Sequence, residues 1–170
     1  MMRRGNIAWC ILLLLVLISS LVACSGPTSG PTPNPKPPGA IKATWIEPQV
    51  VGDTVSIPVS EVEDNKIVHF KLVTLGGDIA FMAYELGVEV YIRSNVCPPC
   101  RSVGFSLQGD TLVCDTCKTT FNAKTGDGIE GACMNFPKAS VPYELRDGNL
   151  AMKGADLTAA YQSTLNPGWP

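Results

Sequence analysis

The sequence lacks most of the features that mark catalytic and nucleic-acid-binding chains. It holds a single histidine, His69, so a Rieske centre, which needs two histidines on one iron, is excluded. Neither Cys-x2-Cys pair is followed by histidine; the next residues are Arg101 and Lys118. That removes covalent haem attachment, which uses C-x-x-C-H. Charge of one sign is also missing. The 13 basic and 15 acidic residues give a net charge of −2 and are mixed along the chain, which leaves no electrostatic footprint for nucleic acid. No Ser-His-acid order, phosphate-cradling glycine loop or coupled carboxylate motif stands out, so the chain reads as a non-catalytic carrier rather than a turnover enzyme. No internal repeat is visible, and helical periodicity is nearly absent.

The 170 residues carry an N-terminal segment of targeting type. Arg3 and Arg4 precede an apolar run from Ile7 to Ile18, and the stretch ends Leu21-Val22-Ala23-Cys24. This is the pattern of a bacterial lipobox. It implies a signal peptide over 1–23, cleavage before Cys24, and acyl chains on that residue, whose number suffices for stable anchoring. The competing reading, an uncleaved membrane helix, suits the segment less well because it is short for a span. Gly5-Asn6-Ile7 after the two arginines is a poor twin-arginine match. The expected location is a membrane lipoprotein with its domain on the extracytoplasmic side.

Residues 24–43 follow as a lipidated cysteine and a proline-rich stalk, Ser25 to Gly39 being rich in proline and small polar residues that favour extended conformations. At about 3 Å per residue, it would hold a domain a few tens of ångströms from the membrane. Residues 44–170 leave room for one compact domain. Short β-rich runs at Thr54–Val59, Ile67–Leu72, Ile79–Glu85 and Val88–Arg93 are broken by Gly52-Asp53, Asp64-Asn65 and Gly76-Gly77-Asp78. Val103–Leu107 with Thr111–Cys114, and Val141–Leu145 with Leu150–Lys153, read as hairpins. Only Asp156–Gln162 suggests helix, with Asp156 as its N-cap. The expected fold is mostly β: a small antiparallel sandwich or barrel with Cys-x2-Cys knuckles and little helix.

Setting aside Cys10 and Cys24, five cysteines remain: Cys97, Cys100, Cys114, Cys117 and Cys133. Two residues between cysteines let a tight turn aim both thiolates at one ion, and two such turns supply a tetrahedral S4 set. A rubredoxin-like iron site, a zinc ribbon and an iron–sulfur cluster all fit this spacing, which does not separate them. Disulfides are the plain alternative for an exported domain. An odd number of thiols and two small local loops argue against that framework. A thioredoxin-like site is weaker still, because no amphipathic helix follows Cys100 to lower a thiol pKa. His69 lies in an alternating strand on the face of Ile67 and Lys71. It is either a half-buried strand histidine or a ligand or neighbouring donor to the sulfurs. Cys133, among Gly131, Ala132 and Pro137, reads as a fifth thiolate ligand in a loop shaped for close approach. Met134 reads as packing.

Val68-His69-Phe70-Lys71, Cys97-Pro98-Pro99-Cys100, Gly104-Phe105, Leu112-Val113-Cys114-Asp115-Thr116-Cys117, Phe121 and Gly131-Ala132-Cys133-Met134-Asn135-Phe136-Pro137 together resemble the FtrD-like membrane iron–sulfur protein family. The resemblance spans about half of the chain. It implies a membrane-associated protein with an iron–sulfur centre, linked in some members with iron uptake and electron delivery. By position it assigns Cys97, Cys100, Cys114, Cys117 and Cys133 to the cysteine pattern of that family and His69 to its strand histidine. The last element departs from the expected Gly-Gly-Cys-Asn-Pro form. The leading expectation is an electron-transfer protein with an iron–sulfur cluster or thiolate-bound iron, meeting a redox or transporter partner at the membrane. A zinc or copper binding module and a thiol–disulfide protein are the alternatives.

Overall fold

Strand β5 (Ile67–Leu72) and strand β6 (Ile79–Leu86) are buried along most of their length rather than alternately. A strand with one solvated face would alternate; continuous burial requires cover on both faces. The computed structural model describes residues 39–168 and supplies that cover. The segment read as a signal peptide, Cys24 and most of the stretch read as stalk lie outside the described residues.

Three sheets build the domain. The middle one has the order β2-β5-β6-β7, where β2 is Thr44–Trp45 and β7 is Glu89–Ser94. On one side lies β12-β13-β4-β3, made of β3 (Gln49–Val51), β4 (Thr54–Pro58), β12 (Glu144–Arg146) and β13 (Asn149–Lys153). On the other lies β1-β8-β9-β10-β11, made of β1 (Ile41–Lys42), β8 (Phe105–Gln108), β9 (Thr111–Cys114), β10 (Thr120–Asn122) and β11 (Gly128–Glu130). The expected mostly β, antiparallel architecture is thus present. One pair departs from it, since β2 runs parallel to β5. β1 falls within the stretch read as stalk and pairs with β8 through Ile41 opposite Leu107.

Because side chains alternate across a strand, the middle sheet feeds two cores. Val68, Phe70, Phe81, Ala83 and Ile92 join Val55, Ile57, Leu150 and Met152 in the first core. Ile67, Met82 and Tyr84 point the other way, into a second core with Phe105, Leu112, Phe121 and the cysteines.

Two helices are present among the described residues. Helix α2 (Gly154–Leu165) begins earlier than expected: Lys153 occupies the N-cap and Asp156 lies in the first turn. A carboxylate there still complements the helix dipole without capping it. Helix α1 (Val59–Asn65) is where the sequence suggested the end of a strand followed by a turn. It buries Val62 in the first core, and Lys66, in the left-handed conformation, returns its N–H to the Val62 carbonyl. Tertiary burial, not propensity, makes this short helix. Among the described residues no helix is long and apolar enough to cross a membrane.

Candidate metal centre

The two Cys-x2-Cys segments fold alike. Strand β7 delivers Cys97 two residues beyond Asn95, and β9 ends on Cys114. In the first turn the Cys97 N–H donates to the Ser102 carbonyl at 2.8 Å; in the second the Cys114 N–H donates to the Thr119 carbonyl at 2.9 Å. Each turn places a basic residue, Arg101 or Lys118, in the left-handed region just after its second cysteine, with φ of 57° and 61°. The turns therefore match position by position, and each ends in a buried hydroxyl residue, Ser102 or Thr119.

They meet crosswise. Cys97 Sγ lies 3.9 Å from Cys117 Sγ, and Cys100 Sγ lies 3.8 Å from Cys114 Sγ. The third approach, 3.7 Å, is between Cys117 and Cys133. Cys97, Cys100, Cys117 and Cys133 form a group whose sulfurs all lie within 4.8 Å of one another. All five thiols are free. The sequence pattern suggested four sulfurs from the two turns with Cys133 as a fifth. In the structure Cys133 stands within the tight group of four and Cys114 stands beside it, against Cys100. His69 is not in this group.

Cys133 arrives on a loop that must come very close. Gly131 has φ of +114°, and a Cβ there would sit 2.8 Å from Thr119 Cα. Only glycine combines that backbone with that approach. Thr119 then joins the second turn to the loop: the Cys133 N–H donates to Thr119 Oγ1 at 3.2 Å, and the same oxygen lies 3.2 Å from Cys117 Sγ.

The environment separates the thiols. Burial pushes the Cys97 thiol up, helped by hydrogen bonding with Cys100 and Cys133 and opposed by the charge of Lys138. Burial also raises Cys114, against hydrogen bonds from the Cys117 and Thr116 backbone and from Ser102. Cys117 is lowered to about 6: burial raises it, but the hydroxyl and backbone N–H of Thr119, with Cys114 and Cys100, outweigh that. A hydroxyl and an amide aimed at one sulfur favour its thiolate.

His69 is buried and sits edge-on to the Trp45 ring, with centroids 5.0 Å apart. Its Nε2 has no hydrogen-bond partner among the described residues. Burial lowers its pKa to about 4, against the Asp115 carboxylate and the Phe105 backbone.

Two buried cations escaped the sequence reading. Arg93 donates from Nε to the Tyr84 hydroxyl at 2.9 Å and from Nη1 to the Lys138 carbonyl at 2.8 Å. Lys138 is 1% exposed, and its Nζ donates to the Val96 carbonyl at 2.7 Å. The only signal available was Lys138's place five residues after Cys133.

The donor set fits a thiolate-bound metal. Four sulfurs around one ion at metal–sulfur distances of about 2.3 Å stand about 3.8 Å apart, which is close to the Cys97–Cys117 and Cys117–Cys133 separations within the group of four. Soft thiolate donors suit iron, iron–sulfur groups, zinc and copper(I).

No curated protein matches the chain. Among solved structures it is similar to a chain from the complex of reduced oxygenase and oxidized ferredoxin in carbazole 1,9a-dioxygenase. The identity is 19%, the TM-score is 0.50, and 61% of this chain and 95% of that one are covered. A second similar structure is the Sphingomonas yanoikuyae B1 ferredoxin, with 21% identity, a TM-score of 0.39, and coverage of 44% of this chain and 74% of that one. The first of these supports a shared β fold. A family model described as "Membrane iron-sulfur containing protein FtrD-like" matches residues 62–163, which include all five cysteines of the two turns and the loop, and His69. The chain therefore belongs to the FtrD-like family of membrane iron–sulfur containing proteins.

Proposed function

We propose that this protein carries electrons on iron held by Cys97, Cys100, Cys117 and Cys133, with Cys114 as a fifth thiol at the edge of the site. The observation that carries the reading is the convergence of four free sulfurs within 4.8 Å, taken with membership of an iron–sulfur family. When bound, such a centre supplies reversible one-electron chemistry, with a potential set by its charge, its hydrogen bonds and its exposure. The chain's own residues set those terms. Thr119 favours the Cys117 thiolate, and the second core excludes water from Cys97, Cys114 and Cys133. Cys100 and Cys117 stay partly exposed, which gives a partner a short route to the sulfurs.

In the same proposal Cys24 carries the lipid that anchors the chain, the stalk over 24–43 lifts the domain over 44–170, and the centre works on the extracytoplasmic side. A redox protein or a transporter is the partner, with a link to metal uptake or respiration. The ferredoxin-related neighbour comes from a complex with an oxygenase, which is consistent with docking to a redox partner.

The sulfur spacings within the group of four favour one second reading, a single zinc or copper ion with a structural or delivery role, because they suit one ion of any of these metals. Elemental analysis with a visible spectrum on the full chain, prepared without oxygen, decides between them. Iron, with or without sulfide, and a thiolate charge-transfer band supports electron transfer. Zinc alone makes the site structural, and absence of metal with oxidised thiols supports a thiol–disulfide protein and removes both metal readings.

A further inference from the structure

The buried cations among the described residues have no buried carboxylate to pair with. The buried polar and charged residues among those described include Arg93 and Lys138 but no aspartate or glutamate. Lys138 takes part in none of the ion pairs among the described residues. An isolated buried ammonium is costly and survives only beside compensating charge.

The position of Lys138 shows where that charge lies. Its Nζ bonds the carbonyl of Val96, the residue before Cys97. It also sits 4.5 Å from the centroid of Phe121 and 5.4 Å from that of Phe105. Phe105 is paired with Cys114 across the β8–β9 ladder, and both rings pack in the core with all five cysteines. The ring faces supply partial negative charge, but they do not neutralise an ammonium. Burial lowers the Lys138 pKa to about 8, and the charges of Cys97, Cys114, Cys133 and Cys100 pull against that lowering. Arg93 holds the same segment from the other side, through the Lys138 carbonyl.

We propose that Lys138 is the built-in counter-cation of the centre, a positioning residue whose fixed positive charge stabilises a metal–thiolate group of net negative charge. This rests on the metal reading of the thiol site but not on the metal being iron. Four thiolates around a divalent ion carry two negative charges in excess, so a buried cation favours the loaded state. It opposes burial of the same residue when the thiols are neutral.

The test uses the full chain with Lys138→Met, which removes the charge and keeps the length, and Lys138→Arg, which keeps the charge. Zinc(II) affinity is read by chelator competition under reducing conditions, and thermal unfolding is followed with and without the metal. The expected loss of zinc affinity in Lys138→Met is about 10- to 100-fold, the range for residues that support metal ligands from outside. Lys138→Arg recovers most of it. Metal-free Lys138→Met unfolds at or above the wild-type temperature, while its zinc-bound form unfolds below wild type. Unchanged zinc affinity in Lys138→Met overturns the proposal, as does an equal loss of unfolding temperature in both forms, which marks simple packing. If the wild-type chain binds neither zinc(II) nor iron(II) under reducing conditions, the metal reading fails first and the counter-cation fails with it.

Discussion

The two cores share a middle sheet and differ in what closes them. The first is shut by apolar side chains: Val55, Ile57, Phe70, Phe81, Leu150 and Met152 fill the space under the outer sheet and helix α1. The second has the same aromatic filling, Phe105 against Phe121 at 5.8 Å, but is closed by five sulfurs, with the Lys138 ammonium against both rings. Apolar packing is self-sufficient, since its stabilisation grows with area removed from water. A core of thiols and buried cations is not, because each charge or polar group needs a partner. One core therefore acts as a scaffold, and the other is a site whose stability depends on what the sulfurs hold.

Cys117→Ser should separate the cores most. It removes the sulfur that contacts both Cys97 and Cys133, and metal analysis should find nearly all bound metal lost while the strands of the first core persist in circular dichroism. Retention of metal at wild-type stoichiometry would mean that Cys114 can replace it.

Ile57→Ala tests the reverse. Ile57 is completely buried in the first core, so its truncation should cost about 2–5 kcal/mol of stability by chemical denaturation. The visible spectrum and metal content should stay as in the wild type. A spectral change would show the cores to be coupled through the middle sheet.

His69 gives the second core a pH dependence. Its folded pKa, about 4, lies below the ordinary 6.5, so the unfolded chain binds the proton more readily and stability falls as pH drops from about 6.5 to about 4. The loss should approach about 3 kcal/mol at its acid limit. His69→Leu should remove that part of the slope, measured by denaturation at fixed metal loading. If His69→Leu instead strips the metal at neutral pH, the imidazole is a ligand.

The smallest effect is expected from Thr119→Val. The Cys133 N–H loses its acceptor, at a cost of about 1–3 kcal/mol. The hydroxyl at Cys117 goes too. Voltammetry of the loaded protein should show a more negative potential, because a hydrogen bond to sulfur stabilises the more reduced, more negative state. An unchanged potential would place the sulfur's tuning elsewhere.

Much of this was legible in the sequence, and the illegible parts share a cause. β-rich composition and turn residues marked β5, β6 and β9, and Cys-x2-Cys spacing marked both turns, because these are local signals. Helix α1 was hidden because it has no side-chain cap and follows Pro58; it forms by burying Val62 against strands elsewhere in the chain. The glycines around Cys133 signalled close approach, and Gly131 against Thr119 makes one. Which sulfurs stand closest together was not readable, since Cys133 meets Cys117 by folding of a loop rather than by spacing. Arg93 and Lys138 look like ordinary surface charges until the β8–β11 sheet closes over them.

The most direct test of the thiolate centre is X-ray absorption at the iron edge on the full chain prepared without oxygen. Stoichiometric iron coordinated by sulfur alone is the expected result. Iron bound through nitrogen or oxygen, or a chain whose only metal is zinc, would contradict it.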